Sequence, residues 1–225
     1  MPTPRSADPT RPQVALAQYR HRAQVYDREL APFEPIREQA VRHLGLRPSD
    51  TVLDVGCGTG LSFAALCNGV GPSGRVVGIE QSPEMLEQAQ ARVAQHGWAN
   101  VALMGTPVAQ AKLPLQADAA LFHFTHDILR QPQAIAHVLR HLKPGARVVA
   151  SGLKWAGVWT WSVNWLVWPA ALYSVSSFEG LQQPWDRLAD QLGGMAVDTL
   201  WLDAVFVAHG TTPPQGRGVL SLKPQ

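Results

Sequence analysis

At 225 residues and 46% apolar content, the chain is long enough to bury the core of one domain. A formal net charge of +2, with no block of five or six like charges, argues against a nucleic-acid partner. Cys57 and Cys67 have no second pair to complete a metal site, so no metal is expected and both read as reduced thiols of a cytoplasmic protein.

Pro2, Pro4, Pro9 and Pro12 among polar residues make residues 1–12 a disordered lead-in, and no basic stretch followed by an apolar core marks a signal peptide. A helical pattern opens at Gln13 and runs through Tyr19 to Tyr26. A second helix is expected over 35–44, with Pro35 in its first turn and Gly45 as its C-cap. Val52, Leu53 and Val55 read as a short buried strand. Gly56, Gly58 and Gly60 then force a tight turn into a helix over 61–66. The turn's N–H groups and that helix N-terminus are expected to receive an anionic group.

Residues 75–80 form a second strand that ends in Glu80. Ser82 and Pro83 suit a helix start, and Gly97 its end after His96. Strands are expected over 100–104, 117–124 and 147–150, with a helix over 133–142 stopped by Lys143-Pro144-Gly145. Strands alternating with helices indicate a doubly wound α/β sheet with right-handed crossovers.

Residues 155–178 contain no charged side chain and hold Trp155, Trp159, Trp161, Trp165 and Trp168. Val158, Trp161, Trp165, Trp168 and Leu172 recur at helical spacing, which leaves three readings open: a lid over an apolar or aromatic substrate, core or a dimer face, and a membrane-interface segment. Residues 165–173 are the longest apolar run, well short of the roughly 20 residues a span requires, so membrane association ranks last. A helix is expected over 184–192, and strands over 196–202 and 204–208 form an antiparallel hairpin around Asp203. One domain thus covers 13–210, comprising N-terminal helices over 13–50 and an insertion at 152–180, with 211–225 as a flexible tail.

A dinucleotide turn reads Gly-x-Gly-x-x-Gly, which would require glycine where Leu61 stands. The spacing here is Gly-x-Gly-x-Gly, flanked by Asp54 and Glu80. In residues 52–60, 76–86 and 142–145 the sequence resembles the class I S-adenosylmethionine-dependent methyltransferases. It is most similar to their small-molecule branch, which includes ubiquinone-biosynthesis and phospholipid N-methyltransferases, and whose N-terminal tyrosine motif Tyr19 and Tyr26-Asp27 resemble. The resemblance implies a Rossmann-like α/β fold: a seven-stranded sheet of order 3-2-1-4-5-7-6, strand 7 antiparallel, helices on both faces. It also implies S-adenosyl-L-methionine as cofactor, held by Tyr19, Tyr26, Asp54, Gly56, Cys57, Gly58, Gly60, Glu80, Gln81, Met85, Thr106 and Phe124. In that reading the loop N–H groups take the methionine carboxylate, Asp54 fixes the loop and the ammonium, and Glu80 accepts from the ribose hydroxyls. Residues 105–110 lack the family's adenine-binding acid, which leaves open whether Thr106 substitutes, a backbone carbonyl substitutes, or adenine is held more weakly.

Such folds present the residues after strand four to the reacting methyl group, here Phe122-His123-Phe124-Thr125-His126-Asp127-Ile128. His126 is the candidate base, Asp127 the group that would orient it, and His123 a third titratable neighbour on the strand. The expected activity is methyl transfer to oxygen, nitrogen or carbon of a small apolar or aromatic acceptor by a monomer or homodimer. The alternatives are a phospholipid N-methyltransferase at the membrane surface and a non-catalytic cofactor-binding protein.

Overall fold

The computed structural model describes residues 31–114, 116–155 and 182–214. A short 3-10 turn (Ala31–Phe33) leads into α1 (Glu34–Leu44), which ends at Gly45 in the left-handed region. Then follow β1 (Thr51–Val55), α2 (Phe63–Val70), β2 (Arg75–Glu80), α3 (Pro83–His96) and β3 (Val101–Gly105). After a second 3-10 turn (Val108–Gln110) come β4 (Ala117–His123), α4 (His126–Leu129), α5 (Pro132–Arg140) and β5 (Leu142–Leu153). α6 (Asp186–Leu192), β6 (Ala196–Leu200) and β7 (Val205–Thr211) complete the described chain.

The strands form one sheet in the order β3-β2-β1-β4-β5-β7-β6. β7 runs antiparallel to both β5 and β6, and the other pairings are parallel. Both faces are covered, which is why the central strands are continuous apolar runs. Leu53, Val55, Val77, Ile79, Phe122 and Val148 face one core, together with α5 and α6. Val52, Val76, Leu121, Val149 and Val207 face the other, where Ile36, Ala40 and Leu44 of α1 and Phe63 and Leu66 of α2 pack.

Three boundaries depart from expectation. Lys143-Pro144-Gly145 lies inside β5 as a wide bulge: Ala117 pairs with Leu142 but Ala119 with Arg147. Thr212 closes the bulge, its Oγ1 accepting from Ala146 N at 2.9 Å and donating to Lys143 O at 2.6 Å. Thr211 and Thr212 therefore belong to the sheet edge, not to a tail. The hairpin turn is wider than Asp203 alone, because Trp201, Leu202 and Asp203 all take left-handed φ values (50, 53 and 71°). Residues 1–30, the 156–181 stretch holding Trp159, Trp161, Trp165 and Trp168, and 215–225 lie outside the described residues, so the lead-in, the tyrosine motif and the lid reading fall there too. No helix among the described residues is long and apolar enough to cross a membrane.

Candidate functional site

The carboxyl ends of β1, β2 and β4 open into a cavity of about 330 Å³, within the range of small-ligand pockets. Its walls come from α1 (Arg37), the β1–α2 turn (Gly56 to Thr59), the end of β2 (Glu80, Gln81), α3 (Met85) and the β4–α4 segment (His123 to Ile128).

The turn is shaped by backbone that only glycine tolerates. Gly56 has φ 74°, and a Cβ there would stand 2.5 Å from Thr125 Cγ2, so α4 can approach only because this position is bare. At Gly58 (φ 56°) a Cβ would meet nothing within 4 Å: the turn's tip opens toward the cavity. Gly60 lies away from the cavity wall, its turn packed on Phe63.

The expectation that the turn's N–H groups await an anion is corrected. Gly56 and Cys57 both donate to Ile79 O (2.8 and 3.0 Å), and Gly60 donates to Cys57 O (2.9 Å). Gly58 N–H donates to Glu80 Oε2 at 3.0 Å. These donors hold the turn against β2. Glu80, which lines the cavity, also receives Ser82 N–H on Oε1 at 2.8 Å, so its carboxylate is fixed while each oxygen keeps a further lone pair.

Two opposite orphan groups stand on the wall instead. Arg37 is fully buried; its Nη1 pairs with Glu34, and its Nε and Nη2 have no partner among the described residues. Asp54, 2% exposed, has Oδ2 unpartnered. Burial raises the Asp54 pKa to about 7, against the lowering effect of Arg37 and with a smaller raise from Glu80. Arg37 was not singled out from sequence. The available signal was a charged residue three positions before Ala40 on the buried stripe of α1, where a solvent-facing arginine does not belong.

Burial likewise sets the histidines. His123 Nδ1 sits 2.7 Å from Ser151 Oγ, and its pKa is lowered to about 3 by desolvation, then by the charges of Arg37 and His126. His126 Nε2 lies 2.7 Å from Leu153 O. A carbonyl only accepts, so Nε2 carries the proton and Nδ1, buried without a partner, is the basic nitrogen. Desolvation lowers the His126 pKa, opposed by that hydrogen bond and by Asp127. Asp127 does not orient His126 as expected: adjacent positions on a helical turn do not face each other, and Leu153 O sets the ring. Burial of Cys57 pushes its thiol well above 9, which keeps it protonated and unreactive.

Met85, Gln81 and Phe124 line the cavity. Thr106 is not on its wall. The chain turns at Pro107, and Val108 reaches the cavity from the following 3-10 turn. Phe124 packs edge-on to Phe33 at 5.1 Å between ring centroids, and Phe33 meets Trp201 at the same distance.

Sheet order, glycine turn and acid-ended second strand together define the Rossmann-like fold of class I methyltransferases. Residues 52–145 match the model of the methyltransferase domain family, and over that stretch the chain is similar to the class I S-adenosylmethionine-dependent methyltransferases. S-adenosylmethionine is the cofactor of that class. Similar curated proteins include a 2-phytyl-1,4-naphtoquinone methyltransferase of Trichormus variabilis, 30% identical over 49% of this chain and 50% of that protein. A demethylmenaquinone methyltransferase of Lactococcus lactis is 30% identical over 50% of this chain and 46% of that protein. The chain thus spans about half the length of these relatives. The N-methyltransferase NodS of Bradyrhizobium japonicum, solved with S-adenosylhomocysteine, has the same fold at 19% identity and TM-score 0.58, over 84% of this chain and 97% of that one.

Proposed function

We propose that the protein transfers a methyl group from S-adenosylmethionine to oxygen, nitrogen or carbon of a small apolar or aromatic acceptor lying against Phe124 and α4. The observation that carries the reading is a pair of opposite groups lining the cavity with buried atoms that lack a partner, Nε and Nη2 of Arg37 and Oδ2 of Asp54. An amino-acid zwitterion matches them. The Nε and Nη2 donors form the side-on fork of a guanidinium, suited to a carboxylate, while Asp54 accepts from the ammonium. Arg37 thereby takes the role that the occupied turn N–H groups do not supply. Glu80, held by Gly58 and Ser82, accepts from the two ribose hydroxyls with its remaining lone pairs. Gln81, Met85 and Val108 form the wall at the adenine end, and the bare tip at Gly58 lets the ligand approach the backbone.

When bound, the cofactor supplies an electrophilic methyl on a sulfonium. The chain aligns an acceptor with it, excludes water and, for a hydroxyl or protonated amine, removes a proton. His126 Nδ1 is the acceptor of that proton, its tautomer fixed by Leu153 O. His123 and His126 are both kept neutral by burial, so neither repels a cationic ligand. The aromatic series Phe124, Phe33 and Trp201, and the quinone methyltransferases among the relatives, support a flat apolar acceptor.

Calorimetry with S-adenosylhomocysteine, followed by turnover on a panel of quinols, phenols and amines, tests the reading. Expected are cofactor binding, weakened in E80A and R37M, and methyl transfer to at least one flat acceptor. Binding without turnover across the panel would favour the non-catalytic alternative, and preference for a nicotinamide dinucleotide would overturn the cofactor assignment.

A further inference from the structure

At the C-terminal end of α1, six residues on from Arg37, the fold assembles a cluster that the methyl-transfer reading does not use: His43, Asp198 and His209, whose ligand atoms all lie within 4.8 Å of one another. Sheet register places two of them. His209 on β7 pairs with Ala196 on β6, so Asp198, two residues on, is its diagonal neighbour on the same face. That face receives α1, and the last turn of α1 delivers His43. His43 Nε2 lies 3.1 Å from Asp198 Oδ2, and its ring stacks on His209 at 4.1 Å and 17°.

The geometry points to a divalent transition-metal site, with zinc as the natural occupant, built from two imidazoles and one carboxylate. Ligand bonds of about 2.0–2.2 Å place tetrahedral donors roughly 3.3 Å apart. The His43–Asp198 separation of 3.1 Å already has that spacing. The rings of His43 and His209 stack face to face at 4.1 Å, so one ring must turn about its side-chain torsions to bring both in-plane lone pairs onto one ion, their ligand atoms already lying within 4.8 Å. Imidazole and carboxylate are ligand types zinc accepts, and Asp198, 45% exposed at its side chain, leaves the fourth position open to water. The C-terminal end of α1 presents the negative pole of its dipole, which favours a cation. A bound ion would clamp the helix that carries Arg37 to the β6–β7 hairpin at the sheet edge.

The test is calorimetry with zinc on chelator-treated full-length protein, repeated with cobalt to read tetrahedral coordination from its visible absorption. One ion per chain is expected, with affinity falling about tenfold or more in D198N and in H209N, a scale that even outer-shell changes reach at metal sites. The thermal midpoint of the wild type should rise with zinc, and that of the variants should not. D198N changes an exposed, nearly isosteric side chain, so its fold is preserved. Equal zinc binding by wild type, D198N and H209N would overturn the proposal and place the metal on other histidines, such as His137 and His141.

Discussion

Asp54 shows how one buried carboxyl ties pH to binding. Its folded pKa of about 7 stands above the ordinary 3.8, so between those values the folded chain holds a proton that the unfolded chain has released. Its contribution to stability therefore falls as pH rises from about 4 to about 7. An ammonium ligand needs the ionised form, so cofactor affinity should rise with pH up to about 7, by as much as roughly tenfold per unit, and then level off. Calorimetry from about pH 5 to about pH 9 reads this, and D54N should give weaker, pH-flat binding. A pH-independent wild type would remove Asp54 from the ammonium contact. His126 carries the second prediction at this scale. H126N should lower turnover by about 10²–10⁴-fold, the usual range of a positioned base, while leaving S-adenosylhomocysteine affinity within about twofold. Unchanged turnover would leave alignment as the whole mechanism.

At the scale of elements, the site depends on two close approaches. α4 rests on the bare Gly56, and the His126 ring rests on Gly152 of β5, where a Cβ would stand 2.7 Å from Cε1 and 2.9 Å from Nε2. G152A should push the ring off Leu153 O and reduce turnover with cofactor affinity kept, because Gly152 is not on the cavity wall. Loss of cofactor binding in G152A would show that β5 supports the whole pocket. The bulge of β5 supplies a stability test. T212V leaves the Ala146 N–H without its acceptor and should cost about 1–3 kcal/mol in urea unfolding. These same elements mark where the sequence was readable. β1 and its turn were legible because an apolar run, three alternate glycines and a following helix agree locally. Lys143-Pro144-Gly145 was not, since proline and glycine signal a turn and a bulge alike, and only Thr212, far along the chain, decides between them. Arg37 and Leu153 O escaped for a related reason: their roles depend on contacts between α1, β1, β5 and α4 that no local pattern encodes.

At the scale of the whole molecule, one sheet separates two cores, and the cavity takes walls from both halves of the strand order. β1, β2 and α3 contribute on one side, and β4, α4 and α1 on the other. A ligand seated there is linked to the unfolding of the entire sheet. S-adenosylhomocysteine at a hundredfold excess over its Kd should add about 2.7 kcal/mol to the unfolding free energy. Phe122, fully buried in the core on the α5 side, sets the scale of the opposing loss: F122A should cost about 3–5 kcal/mol. The two effects should add, because F122A removes packing beneath the sheet without touching the cavity wall. In E80A the ligand increment should shrink, and unfolding without ligand should also become easier, because the Gly58 and Ser82 N–H groups lose their acceptor. Urea unfolding followed by circular dichroism and by tryptophan fluorescence, with and without ligand, reads all four quantities. Coincident transitions with a common ligand shift would establish the sheet as one cooperative unit. Two separated transitions, with only one moved by the ligand, would mean that the halves of the site fold independently and that the cavity does not bridge them.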